Sequence, residues 1–335
     1  MIDLFDIRYV RLGTRDLEST SRFMTEIIGL ELVRQIDVPG YKANYFKSDS
    51  RDHTLCWFEG DPDDHTVGFE LNHPEDIDTV AAQLENAGYP VQWGTPEDCE
   101  LRRVRSFIST VDPNGNKIDI VARPFHSAKF YHGTRDAGIT GFSHIGLHTR
   151  DPIAAEEFWT KLLSARVSDW IGDLALLRVS TVHHAMALFP SPRSGVQHIN
   201  HQVKSIDDVM RSYYFLKERG VPIQFGPGRH ITSTAMFLYF EGPEGMTFEY
   251  SHGVGHILPE QEATYRPRQF PVDRYSICYW GALPQGKSSF DSLKPPAKTE
   301  AIENIVSPEQ LIAPDAELLQ AGGTKSTADA SPSGA

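Results

Sequence analysis

The sequence predicts an α+β protein built from four βαβββ modules arranged as two domains, each a curved mixed sheet with a concave face and its helices outside. Three observations predict it. The segments IRYVRLGTRD, residues 7–16, and FSHIGLHTRD, residues 142–151, both read as a strand ending in Thr-Arg-Asp. Two further strand-like runs, from Val67 and from His198, each lead into an apolar stripe at helical spacing that stops at a glycine. Short β-rich runs follow each helix, broken by the turn signals Asp112-Pro113-Asn114-Gly115 and Gly242-Pro243-Glu244-Gly245. Repetition of one supersecondary unit at roughly 55–70 residues signals a duplicated architecture.

Each element has a local reason. Asp16 and Asp151 follow the first strands of modules one and three, where an Asp side chain can cap the next helix. Pro152 suits the first helical position, and Phe158, Trp159, Leu162 and Leu163 supply an apolar stripe behind it. In module two the stripe is Ile77, Val80 and Leu84, stopped by Gly88; in module four it is Val209, Tyr213 and Leu216, stopped by Gly220. The segments after the stops correspond too, Gly88-Tyr89-Pro90-Val91 to Gly220-Val221-Pro222-Ile223. Two modules per domain place an N-terminal domain at 1–135 and a C-terminal domain at 136–260. Residues 261–290 retain Tyr265, Phe270, Tyr275, Tyr279 and Trp280 and are expected to pack on a domain or a neighbouring subunit. Residues 291–335 are rich in Pro, Ser, Gly, Ala and Thr, and disorder is expected there.

Bulk composition narrows the partners. The net charge of −13 gives a field that repels nucleic acid and anionic lipid, which leaves small molecules as the expected partners. Cys56, Cys99 and Cys278 are widely spaced without a CxxC pair, which fits a reducing cytoplasm. The N-terminus lacks the basic start and apolar run of a signal peptide, and no stretch approaches the length of a membrane span.

The candidate chemistry lies in the second domain. Two modules side by side make a concave face, and a metal there should draw ligands from equivalent strands of both. His144 falls in the first strand of module three, His198 in the first strand of module four, and Glu249 in that module's last strand. Two imidazoles and one carboxylate leave adjacent coordination positions open, as non-haem iron(II) oxygenases require. Zinc accepts the same ligand types. His201 competes with His198, but residues three apart in a strand face opposite ways, and counting back from Lys204-Ser205-Ile206-Asp207-Asp208 favours His198. His148 shares the His144 face and is the weaker candidate.

Residues 140–255 resemble the catalytic domain of the type I extradiol dioxygenases of the vicinal oxygen chelate superfamily. The resemblance rests on Gly228-Arg229-His230, on the run from Phe237 to Glu249, and on His183-His184 ahead of Ala185-Met186-Ala187-Leu188. It implies iron(II), with manganese(II) as an alternative, on His144, His198 and Glu249, a catechol and O2 as substrates, and a homo-oligomer. It further implies that His184 is the acid–base residue and that Tyr239 and His230 support it. A neutral imidazole suits a group that takes a proton and returns it. His183 should face away and play no part. Tyr239 should lie on the Glu249 face, diagonal to it, with Phe237 beside it. The pattern departs from the family at Gly242 and at Thr232-Ser233, where substrate contacts or outer hydrogen bonds should differ.

The N-terminal half is an internal control. Tyr9 stands where His144 does, Thr66 where His198 does and Asp119 where Glu249 does, so this domain is expected to be structural. Two other functions suit the fold, which does not decide among them: a glyoxalase-like metal-dependent isomerase or lyase, and a metal-free binding protein of the bleomycin-resistance kind. Clustering of His, His and Glu in one domain disfavours the first, and His184 with Tyr239 disfavours the second.

Overall fold

A computed structural model describes residues 1–285, 289–295, 304–307, 310 and 311. Module one is β1 (Leu4–Thr14), α1 (Leu17–Arg22) continued by a π turn over Phe23–Ile28, then β2 (Glu31–Val38), β3 (Tyr41–Lys47) and β4 (Leu55–Glu59). Module two is β5 (His65–Leu71), α2 (Ile77–Asn86), β6 (Gln92–Trp93), the inserted α3 (Pro96–Arg102), β7 (Val104–Val111) and β8 (Lys117–Pro124). Module three is β9 (Ile139–Thr149), α4 (Pro152–Glu157) with a second π turn over Phe158–Leu162, β10 (Arg166–Ile171), β11 (Leu174–Arg178) and β12 (Met186–Pro190). Module four is β13 (Val196–Val203), α5 (Ile206–Glu218), β14 (Ile223–Arg229), β15 (Met236–Glu241) and β16 (Thr247–His252).

The modules pair through their first strands, β1 antiparallel to β5 and β9 antiparallel to β13. The first sheet runs β2-β3-β4-β1-β5-β8-β7-β6, and the second β14-β15-β16-β13-β9-β12-β11-β10 with one further strand at its edge. The α+β class and the paired mixed sheets therefore agree with the sequence. Local chemistry explains the helices. Asp16 caps α1 through Ser19 N–H at 2.9 Å, and Asp151 caps α4 through Ala154 N–H at 3.0 Å. Gly88 and Gly220 end α2 and α5 at φ +86° and +68°, the left-handed region a glycine enters without strain.

Strand alternation divides the second sheet. Met186, Leu188, Leu238, Phe240 and Phe248 face the large core that also holds Val209 and Leu216 of α5. Their neighbours Ala187, Phe189, Phe237 and Tyr239 face a second apolar cluster on the concave side. The domains buttress each other through their turns. Asn114 Oδ1 accepts from the N–H groups of Arg150 and Asp151 at 2.6 and 2.7 Å. Asn116 donates to His148 O and accepts from Gly195 N–H, so the first domain pins the ends of both β9 and β13. In return Glu244 accepts from Arg15 N–H at 2.7 Å.

The C-terminal extension packs on the second domain. It adds β17 (Arg268–Phe270) parallel to β10, followed by α6 (Arg274–Ile277). Beyond it the expected disorder fails where residues are described: Leu293, Val306 and Leu311 are buried, and Val306 N–H donates to Gln269 O at 2.9 Å. Single apolar anchors in a Pro- and Ser-rich segment carry no periodic signal, yet each fills a gap over the concave cluster. The remaining tail positions lie outside the described residues. Among the described residues, no helix is long and apolar enough to cross a membrane.

Candidate metal centre

His144, His198 and Glu249 stand on β9, β13 and β16, which are neighbours in the sheet. One ligand atom from each lies within 4.8 Å of the others, and all three residues are buried. Among the described residues this is the one group of three or more His, Cys, Asp or Glu able to hold a metal ion. His144 Nε2 is 3.0 Å and His198 Nε2 3.5 Å from Glu249 Oε2. Neither approach is aligned as a hydrogen bond: both Glu249 oxygens and His198 Nε2 are buried without a partner. Burial opposes ionisation of Glu249, but the surrounding His144, His230 and His198 together outweigh it and hold the carboxyl well below its usual range. Burial, then His144, pushes the His198 ring down to about 3, which leaves a neutral imidazole. A buried anion facing the bare Nε2 of His198 is costly on its own and matches what a divalent cation needs. The donor set fits.

Two residues that sequence reasoning passed over shape this set. Gln197 Oε1 accepts a short hydrogen bond from His198 Nδ1, which leaves Nε2 unprotonated and turned toward Glu249. Gly146, paired with His198 across the β9–β13 ladder, leaves the space in which that ring lies. A methyl group at Gly146 would sit 2.8 Å from His198 Cε1 and 2.6 Å from Gln197 Oε1.

The other predicted residues take three kinds of place. His184, just before β12, packs against His144 with ring centres 4.2 Å apart and planes tilted by 47°. Tyr239 pairs directly with Glu249 across β15 and β16, not diagonally, because the turn closes at Glu241 and Thr247. His230, at the end of β14, accepts from the Tyr239 hydroxyl through Nε2 at 3.1 Å and donates from Nδ1 to Ile277 O at 2.8 Å. Burial, then Glu249, raises the Tyr239 phenol well above 10, so it keeps its proton. His201 sits away from the ligands, buried edge-on to Phe142 with neither ring nitrogen partnered. His148 stands outside the ligand group and accepts from Arg193 Nε at 3.0 Å. His183 is no bystander, for its ring lies 3.1 Å from His184 Nδ1 and 2.9 Å from Asp169.

The pocket beside these groups is walled by Leu174, Leu176, Phe189 and Phe290 and measures about 20 Å³. Thr232 and Ser233 line it. Gly242 has a packing reason: a methyl group would meet the Phe248 ring at 2.5 Å.

The first domain holds the counterpart in a closed form. Asp119 accepts from Tyr9 at 2.8 Å, from Arg102 at 2.6 Å and from Ser109 at 2.5 Å. Its carboxylate is thereby satisfied by protein donors. The ladders of β4 and β12 also equate His53 with His184, and His53 packs on Tyr9 where His184 packs on His144. That correspondence was invisible in sequence because Asp52-His53 shares too little with His183-His184.

A model of the Glyoxalase/Bleomycin resistance protein/Dioxygenase superfamily matches residues 6–120 and 141–250. The chain is 30% identical over 293 residues to a 3-methylcatechol 2,3-dioxygenase of Pseudomonas putida, covering 82% of this chain and 95% of the relative. It is 24% identical over 280 residues to a 1,2-dihydroxynaphthalene dioxygenase of Sphingobium xenophagum, covering 78% and 93%. The crystal structure of a Mn(II)-bound glyoxalase from Novosphingobium aromaticivorans superposes with a TM-score of 0.74 at 25% identity, over 91% of this chain and 99% of that one.

Proposed function

From the premise that this chain belongs to the glyoxalase/bleomycin resistance protein/dioxygenase superfamily, we propose that it opens a catechol-type diol by extradiol cleavage with O2. In this reading His144, His198 and Glu249 hold iron(II), with manganese(II) the alternative that the same donors accept. One observation carries it. A buried carboxylate and His198 Nε2, both without a hydrogen-bond partner, converge with the His144 ring beside a third histidine and a phenol that face the same pocket. The likeness to ring-cleaving relatives supports it.

The ion's contribution is Lewis acidity toward the diol and electron exchange with O2. The chain's own residues do the rest. His184 takes the proton of one diol hydroxyl and returns it after the ring opens. Tyr239, which keeps its proton, turns its one O–H from His230 Nε2 to a substrate oxygen as charge develops there. Leu174, Leu176 and Phe189 present apolar walls that exclude water and hold the ring. A glyoxalase-like isomerisation is the second reading, favoured by the match to the Novosphingobium structure, and it consumes no O2.

Anaerobic reconstitution of the full chain with iron(II), followed by a catechol panel in air, tests the proposal. O2 uptake matched by a yellow ring-fission product is the expected result. Metal bound without O2 uptake on any diol overturns it.

A further inference from the structure

A line of buried polar groups reaches His184 from the sheet edge and is unused by the roles above. Asp169 on β10 accepts from Arg268 of β17 three times, from the backbone N–H at 3.0 Å, Nε at 2.9 Å and Nη2 at 2.6 Å. Burial opposes its ionisation, but Arg268 and then His183 hold the carboxyl below its usual range. Asp169 Oδ2 lies 2.9 Å from His183 Nε2. An ionised carboxylate only accepts, so His183 carries its proton on Nε2. Burial keeps that ring neutral, and its Nδ1 is then a bare acceptor. The 3.1 Å contact between the two Nδ1 atoms therefore makes His184 the donor from Nδ1. Its Nε2 is left unprotonated for the pocket that the ring lines. The His183 backbone is fixed as well: its N–H donates to Gly255 O at 2.9 Å, and its carbonyl accepts from the Ser168 hydroxyl.

We propose that Asp169 and His183 are positioning residues that hold His184 in the one tautomer able to accept a proton from a bound diol. The inference rests on the acid–base role given to His184 above. The proton passes from a diol oxygen to His184 Nε2, the electron pair stays on that oxygen, and the imidazolium keeps its Nδ1–H bond to His183. The Asp169 charge, relayed through His183, steadies the cation until the proton is returned. The extension after residue 260 thus reaches the chemistry through Arg268, which holds Asp169 ionised.

Two measurements test this. In the full chain labelled with ¹⁵N-histidine and loaded with diamagnetic zinc(II), long-range ¹H–¹⁵N spectra should show His184 protonated on Nδ1 and bare on Nε2, and His183 the reverse. Signals are assigned by their loss in His184→Gln and His183→Gln. Opposite tautomers overturn the proposal. In the iron-loaded enzyme, His183→Phe should lower kcat by about ten- to a thousand-fold at unchanged KM and iron content, since a lost orienting partner leaves the wrong tautomer. His183→Gln, whose carbonyl can accept from His184 and whose amide can donate to Asp169, should recover kcat to within about tenfold of wild type. Wild-type kcat in His183→Phe, with His184→Gln inactive, sinks this inference alone. Wild-type turnover in His184→Gln removes the acid–base reading beneath it.

Discussion

Gly146→Ala should weaken metal binding while leaving the fold intact. The new methyl group would lie 2.8 Å from His198 Cε1 and nearer still to Nδ1, against 3.4–4 Å for ordinary contact. The ring must therefore retreat by roughly 1 Å, several times the ±0.2 Å within which ligand distances are held. The Gln197 oxygen that fixes its tautomer is crowded as well, at 2.6 Å. Loss of an orienting contact of this kind costs about 10- to 100-fold in metal affinity, or about 1.4–2.8 kcal/mol. Backbone damage should be small, because the atoms met are those of two side chains. The assay is anaerobic competition for iron(II) against a chromogenic chelator, with circular dichroism to verify the fold. Wild-type affinity in a folded Gly146→Ala protein would refute the reasoning, since His198 could then bind from another ring position.

Other expected outcomes follow from the same site. His184→Gln should keep iron and catechol binding while turnover falls about 10²–10⁴-fold; loss of iron would mark His184 as a ligand. His198→Ala should abolish metal binding and His201→Leu should not, as metal analysis of both will show. His201→Leu should also flatten the pH dependence of stability. Burial pushes the His201 ring from 6.5 down to about 4, so the unfolded chain binds the extra proton first as pH falls. Stability is therefore lost between pH 6.5 and 4, by about 3 kcal/mol at the lower limit, and urea titrations whose pH slope is unchanged in His201→Leu would contradict this. Phe290→Ala should favour larger diols. A cavity of about 20 Å³ has room for about one water, so a ring must turn Phe290 aside. Steady-state kinetics should show kcat/KM for a fused-ring catechol rising about tenfold relative to a single-ring one, and equal change in both would discount Phe290 as a size gate.

The candidate ligands were legible because each sits at a countable distance from local punctuation. His144 and His198 are located by the capped helices that follow their strands, and Glu249 by the turn at Gly242–Gly245. What the sequence concealed depends on contacts between distant segments. Gln197 and Gly146 matter only because β9 and β13 lie side by side. Asp169 gains its meaning from Arg268, 99 residues later, and from His183 across the sheet. His183 looked idle because alternation assigns faces but cannot reveal a polar group waiting on the far side. The tail beyond residue 290 misled composition for a related reason: Leu293, Val306 and Leu311 are buried singly against a cluster formed elsewhere.

The central claim is that the His144, His198 and Glu249 centre inserts O2 into a catechol ring. Turnover of the iron-loaded enzyme under isotopically heavy dioxygen tests it most directly, with the ring-fission product analysed by mass spectrometry. The account predicts both heavy oxygen atoms in one product molecule, formed at the rate of O2 uptake and lost with His144→Ala. A product without heavy oxygen, or an isomerised substrate formed equally fast in the absence of O2, would contradict it.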